Sequence, residues 1–121
     1  MNWWDILIAF GIVAAFLIYR RSGLISVTDA RELLKKGALV IDVRTAGEFV
    51  AGHLPVAVNL PLSEIESNWN RRIKDKNQAL LLHCQSGARS GAAKKKLVAL
   101  GCPNTYNMGG YGRAARIVSG K

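Results

Sequence analysis

The chain is 121 residues long, with 17 lysines and arginines against 8 aspartates and glutamates, a net charge of +9. That length holds one domain of about 100 residues and a short appendage, which excludes a multidomain enzyme and a large dinucleotide-binding fold. The basic balance favours small anions or an anionic lipid leaflet as partners; no aromatic platform or recognition motif accompanies the lysines, so nucleic acid is not expected as one.

Sixteen of the first 21 residues are hydrophobic. Asn2 to Tyr19 is an apolar stretch of 18 residues with Asp5 as its single charge, about 27 Å long as a helix. Trp3, Trp4 and Tyr19 stand at its ends, where amphipathic rings favour the membrane interface. A cleaved signal peptide needs positive charge in front and a small-residue site behind; here Asp5 is in front and Arg20-Arg21 behind. A helix packed on a domain needs a polar stripe, which is missing. The segment therefore predicts a transmembrane anchor over residues 1–21. Arg20 and Arg21 predict that residues 22–121 lie on the cytoplasmic side of the inner, cytoplasmic membrane.

Residues 22–121 read as alternating helices and strands. Thr28 is the expected cap of a helix over Asp29–Lys36 that Gly37 ends. Ala38–Asp42 is a short apolar run rich in β-branched residues, a buried strand. A short helix over Ala46–Ala51 stops at Gly52. Val56–Leu60 reads as a strand between Pro55 and Pro61, Ser63–Ile73 as a helix, and Ala79–His83 as another buried strand. Arg89–Leu100 is helical with Gly101 as its end signal, Thr105–Asn107 a short strand, and Tyr111–Val118 a last helix. Short apolar strands separated by helices predict an α/β domain, a parallel sheet covered on both faces. Lys94, Lys95 and Lys96 read as a solvated helix face.

The two cysteines, Cys84 and Cys102, have different surroundings and do not predict a disulfide. With only His53 and His83 beside them, no metal-ligand spacing arises, and no cofactor is expected. Cys102 reads as a core filler. Cys84 follows a buried strand and precedes a helix, in Leu80-Leu-Leu-His-Cys-Gln-Ser-Gly-Ala-Arg-Ser90. Sites in open α/β sheets form outside the carboxyl ends of strands, so Cys84 is expected to be exposed there. Gly87 lets the loop of Gln85, Ser86, Gly87 and Ala88 fold tightly and turn N–H groups inward as an anion nest. The helix after it adds its positive dipole end. Both effects lower a thiol pKa and favour the reactive thiolate, without a neighbouring histidine base. Arg89 reads either as a helix-start ion pair or as a loop residue facing an anion. His83 reads as a packed strand residue.

At this point the sequence resembles the single-domain rhodanese family. Cys84, Gly87, Arg89 and Ser90 match its Cys-x-x-Gly-x-Arg-Ser loop. Ile41-Asp-Val-Arg44, Glu48-Phe49, Gly52-His-Leu-Pro55, Ala57, Asn59, Pro61 and Met108-Gly-Gly110 are similar to its other segments, in order. Val56 departs from the family, where a glycine is common, and the stretch after Gly110 lacks the family's tryptophan. The resemblance implies a five-stranded parallel sheet with helices on both faces, here preceded by the anchor.

It also implies a sulfurtransferase. Cys84 would take a sulfane sulfur from a small anionic donor such as thiosulfate and pass it to cyanide, a thiol or a protein acceptor. The backbone N–H groups of Gln85, Ser86, Gly87, Ala88, Arg89 and Ser90 would hold the persulfide. By the same resemblance Asp42, Arg44, Glu48 and His53 would brace the loop and turns. Two other readings stay open: a membrane-tethered sulfur carrier or docking module, and a cysteine-dependent phosphatase or arsenate reductase of the same fold. The latter is associated with a longer Cys-x5-Arg loop, whereas four residues separate Cys84 from Arg89.

Overall fold

A computed structural model describes residues 2–120, with the backbone alone for residues 18–22. Helix α1 (Trp3–Ser22) leads to α2 (Val27–Lys35), β1 (Leu39–Asp42), α3 (Ala46–Ala51) and β2 (Ala57–Asn59). A 3-10 turn (Leu62–Glu64) then opens α4 (Ile65–Arg72), followed by β3 (Leu80–His83), α5 (Ala88–Ala99), β4 (Thr105–Gly109) and α6 (Tyr111–Ser119).

All strands pair in parallel, in the order β2-β1-β3-β4. β3 lies inside the sheet with all four residues buried, which is why it reads as an unbroken Leu-Leu-Leu rather than an alternation. Successive side chains leave opposite faces. Ile41, Leu80 and Leu82 meet Ile65, Ile73, Ala93 and Leu97 of the α4–α5 side. Val40 and Leu81 meet Ala30, Met108, Ala114 and Ile117 of the α2–α6 side. Each of these leucines and isoleucines contributes about 1.5–3 kcal/mol by burial.

The sheet has four strands among the described residues, not five. Where a fifth would lie, beside β4, a single parallel bridge joins Leu24 to Asn107, and the Ile25 N–H donates to the Asn107 carbonyl at 3.0 Å. Ser26 then accepts the Asp29 N–H at 3.1 Å and starts α2. The pairing stops after one residue because the helix begins there; the cap is Ser26, two residues before the expected Thr28. Val56, exposed in the turn before β2, needs no positive φ.

The expected membrane anchor is not supported. Among the described residues no helix is long and apolar enough to cross a membrane. Asp5 lies in the first turn of α1. The expected placement of residues 22–121 on the cytoplasmic face is therefore withdrawn. The side chains of Tyr19, Arg20 and Arg21, which carried the interface and orientation readings, lie outside the described residues.

Candidate active site

The chain leaves β1 for β2 on one side and later returns to β3 on the other. The carboxyl ends of β1 and β3 therefore open a crevice at the point where the strand order reverses, the usual place for a site in such sheets. Cys84 directly follows β3. The loop after it enters α5 at Ala88 through Gly87, whose φ of 101° suits glycine. That turn aims the Gly87 N–H at Cys84 Sγ, 2.9 Å away.

Cys84 is buried, with 0% exposure, contrary to the expectation of an exposed thiol. The loop folds back over the sulfur instead of standing beside it. Burial works against the thiolate. Opposing it, once the sulfur is charged, are hydrogen bonds from the Ser90 hydroxyl and from the N–H groups of Ser90, Gly87 and Ser86. The balance holds the Cys84 pKa below the ordinary thiol value. Cys102 is also buried and unpaired, and there burial pushes the pKa up. Its N–H donates to Leu97 O, and it packs in the α4–α5 core.

The start of α6 seats the loop from behind. The Cys84 N–H donates to Gly109 O at 3.2 Å, and the Tyr111 N–H to Gln85 O at 3.2 Å. Ser86 bridges Gly110, where an added Cβ would stand 2.8 Å from Gln85 O. Gly110 is thus required by close backbone approach. Ser90 is buried, whereas Gln85, Ser86 and Ala88 are exposed.

Arg89 is engaged with Glu48 in a two-pronged ion pair, with N–O distances of 2.6 and 3.0 Å. Of its two expected roles this geometry is the helix-start pair, and it ties α3 to α5. Hydrogen bonds from Arg89, and from the Thr45 backbone, hold the Glu48 carboxyl down to about 2. Glu48 also closes a capping box with Thr45.

Asp42 and Arg44 form a buried pair, with Arg44 Nη2 2.8 Å from Asp42 Oδ2 and 2.7 Å from Gly52 O. Arg44 Nη1 reaches Gln85 Oε1 at 3.4 Å, and the guanidinium lies 4.9 Å from the centre of the Tyr111 ring. Arg44, Glu48, Ala51, Gly52, Gln85 and Tyr111 line a shallow cavity of about 280 Å³ at the mouth of the crevice. His83 is buried behind Cys84, and its Nδ1–H donates to Cys84 O at 3.2 Å. Its Nε2 has no hydrogen-bond partner among the described residues and stands 3.7 Å from Asp42 Oδ2. Burial lowers its pKa and keeps the ring neutral at neutral pH. His53 is apart from this group, stacked on Phe49 at 3.8 Å with Nδ1 2.8 Å from Phe49 O.

One residue of the site was missed in the sequence. Asn107 of β4 is buried, and its Oδ1 lies 2.7 Å from Ser90 Oγ and 2.8 Å from the Gly109 nitrogen. A polar side chain within a buried strand was the available signal.

Comparison with known proteins gives consistent relatives. The model of the rhodanese-like domain matches residues 26–113. The chain is 37% identical over 107 residues to the uncharacterized protein YqhL of Bacillus subtilis, covering 82% of this chain and 83% of that one. It is 34% identical over 70 residues to the thiosulfate sulfurtransferase PspE of Escherichia coli, covering 58% and 67%. The solved structure of the human single-domain sulfurtransferase TSTD1 is similar with a TM-score of 0.63 at 29% identity, covering 73% of this chain and 89% of that one.

Proposed function

The chain belongs to the rhodanese-like domain family, and from that premise we propose that it is a sulfurtransferase working through a Cys84 persulfide. The observation that carries this reading is the Gly87 N–H 2.9 Å from Cys84 Sγ, in a loop seated at the end of β3. A thiolate held by such donors is a nucleophile at neutral pH. In the first step the Cys84 thiolate attacks the outer sulfur of a donor such as thiosulfate. A new S–S bond forms as the donor's S–S bond breaks, and sulfite leaves with the bonding pair. In the second step an acceptor nucleophile, cyanide or a thiolate of a small molecule or protein, takes the outer sulfur, and the Cys84 thiolate is restored.

The loop residues Gln85, Ser86, Gly87, Ala88, Arg89 and Ser90 shape this cradle. Arg89 acts in it through Glu48 and so holds the loop rather than the donor. This also disfavours phosphatase or arsenate reductase chemistry, in which the loop arginine faces a tetrahedral oxyanion. A dedicated carrier uses the same persulfide and differs in passing sulfur to one protein far faster than to cyanide.

Intact-mass measurement after thiosulfate treatment tests the reading. The expected result is a reducible gain of one sulfur atom in the wild type and in Cys102→Ser, and none in Cys84→Ser. A gain that follows Cys102 overturns the site. Phosphate-ester hydrolysis without sulfur uptake overturns the reaction.

A further inference from the structure

Ser90 has one hydroxyl proton and more than one acceptor within reach. Its Oγ lies 2.7 Å from Asn107 Oδ1, 3.0 Å from Gly87 O and 3.5 Å from Cys84 Sγ. The Asn107 amide has a fixed orientation, because the Gly109 N–H donates to Oδ1 at 2.8 Å and the Asn107 Nδ2 faces Gly87 O at 3.4 Å. Reversing the amide would set two donors against each other at Gly109. With the oxygen fixed, the short contact to Ser90 is a bond in which the hydroxyl donates to Asn107. The same proton cannot then point at sulfur.

We propose that Asn107 is a positioning residue that competes with Cys84 for the Ser90 proton. While the sulfur is uncharged, as a thiol or as the inner sulfur of a persulfide, the proton rests on Asn107 Oδ1. When Cys84 ionises, the charge draws the proton from Asn107 to Sγ, because a charged acceptor makes the stronger bond. Turning the hydroxyl costs the Asn107 bond, so Asn107 limits how far Ser90 stabilises the thiolate. The thiolate stays more basic, and a more basic thiolate is the better nucleophile. The proposal rests on Cys84 being the reacting group, but it concerns ionisation and is tested without sulfur transfer.

The test follows alkylation of Cys84 by iodoacetamide across pH, read from the mass of the Cys84 peptide in the full chain. Asn107→Leu removes the nearest competing acceptor, while Gly87 O, which already accepts the Gly91 N–H, and Gly109 O stay in place. The expected result is a titration midpoint lower by about one pH unit, with a high-pH plateau rate about threefold lower. In the Ser90→Ala background the same substitution leaves the midpoint in place. Asn107→Asp keeps an acceptor toward Ser90 and strengthens it. It moves the midpoint up, and by less when Ser90 is alanine, since only the through-space charge then acts. The proposal is overturned if Asn107→Leu leaves the midpoint unmoved or raises it with Ser90 present. It is equally overturned if the shift survives in Ser90→Ala. Should Asn107→Leu fail to fold, an Asn107→Asp shift of equal size in both Ser90 backgrounds overturns it, and a smaller one in Ser90→Ala supports it. Loss of sulfur uptake with these titrations intact would instead count against the sulfurtransferase reading.

Discussion

Cys84 and Gly87 were legible as residues because their relation is local: three positions apart, at a strand end, with a glycine where φ is positive. What the local pattern hid was the depth of the sulfur. The loop folds back over the sulfur, and Gly109, Gly110 and Tyr111, which follow in a different strand and helix, hold it there from behind. Gly110 shows how tight that closure is. Its Cβ-bearing variants place carbon 2.8 Å from Gln85 O, a backbone atom that yields only if the loop shifts. Gly110→Ala is expected to keep the fold by circular dichroism while slowing thiosulfate loading by about a hundredfold, since small misplacements of a reacting group have that effect. Stopped-flow or quenched mass measurement of the persulfide checks it. Asn107 was hidden for a similar reason. Its partner Ser90 is 17 residues away, and only the pairing of β3 with β4 brings them together.

At the level of elements, the strands β1 and β3 and the helix after Cys84 were readable from apolar runs and end signals. The cap at Ser26 and the missing fifth strand were not, because the end of a short pairing depends on where the next helix starts. Element α3 is a second case. The run Ala46–Ala51 was expected as a helix, but its tether is an ion pair with Arg89, 41 residues away. That tether is pH-dependent. Glu48 has a folded pKa of about 2 against an ordinary 4.5, so the unfolded chain takes up the proton first. Its contribution to stability is complete above about 4.5 and disappears as pH falls toward 2. Glu48→Gln is expected to lower the urea midpoint near neutral pH, and the gap to wild type should close as the pH approaches 2. Paired urea titrations at several pH values measure both arms.

For the molecule as a whole, composition separated the first 21 residues from the rest, and the structure retains that contrast without supporting the anchor. In α1, Trp3, Phe10 and Ile12 are 70%, 72% and 65% exposed. Leu24 and Ile25 behave differently. Besides the bond to Asn107, the Ile25 carbonyl accepts from Arg113 Nη2 at 2.6 Å. A chain beginning at Gly23 is expected to keep the unfolding midpoint of the full protein. One beginning at Val27 loses these bonds and the Ser26 cap, and should be less stable by about 2 kcal/mol. Chemical denaturation of the two truncated chains compares them directly.

The short Leu24–Ile25 segment also bears on self-association. An open sheet has two rims of unpaired peptide groups, and each is a template on which another chain can add a strand. The β2 rim is three residues long and flanked by Pro55 and Pro61, which cannot donate to a ladder. The β4 rim is five residues long and lacks such blunting within the strand. There the Asn107 carbonyl, which a foreign strand would need, is already taken by Ile25. Two residues thus keep the longer rim from nucleating aggregates, and the chain beginning at Val27 should form higher-order species as its concentration rises.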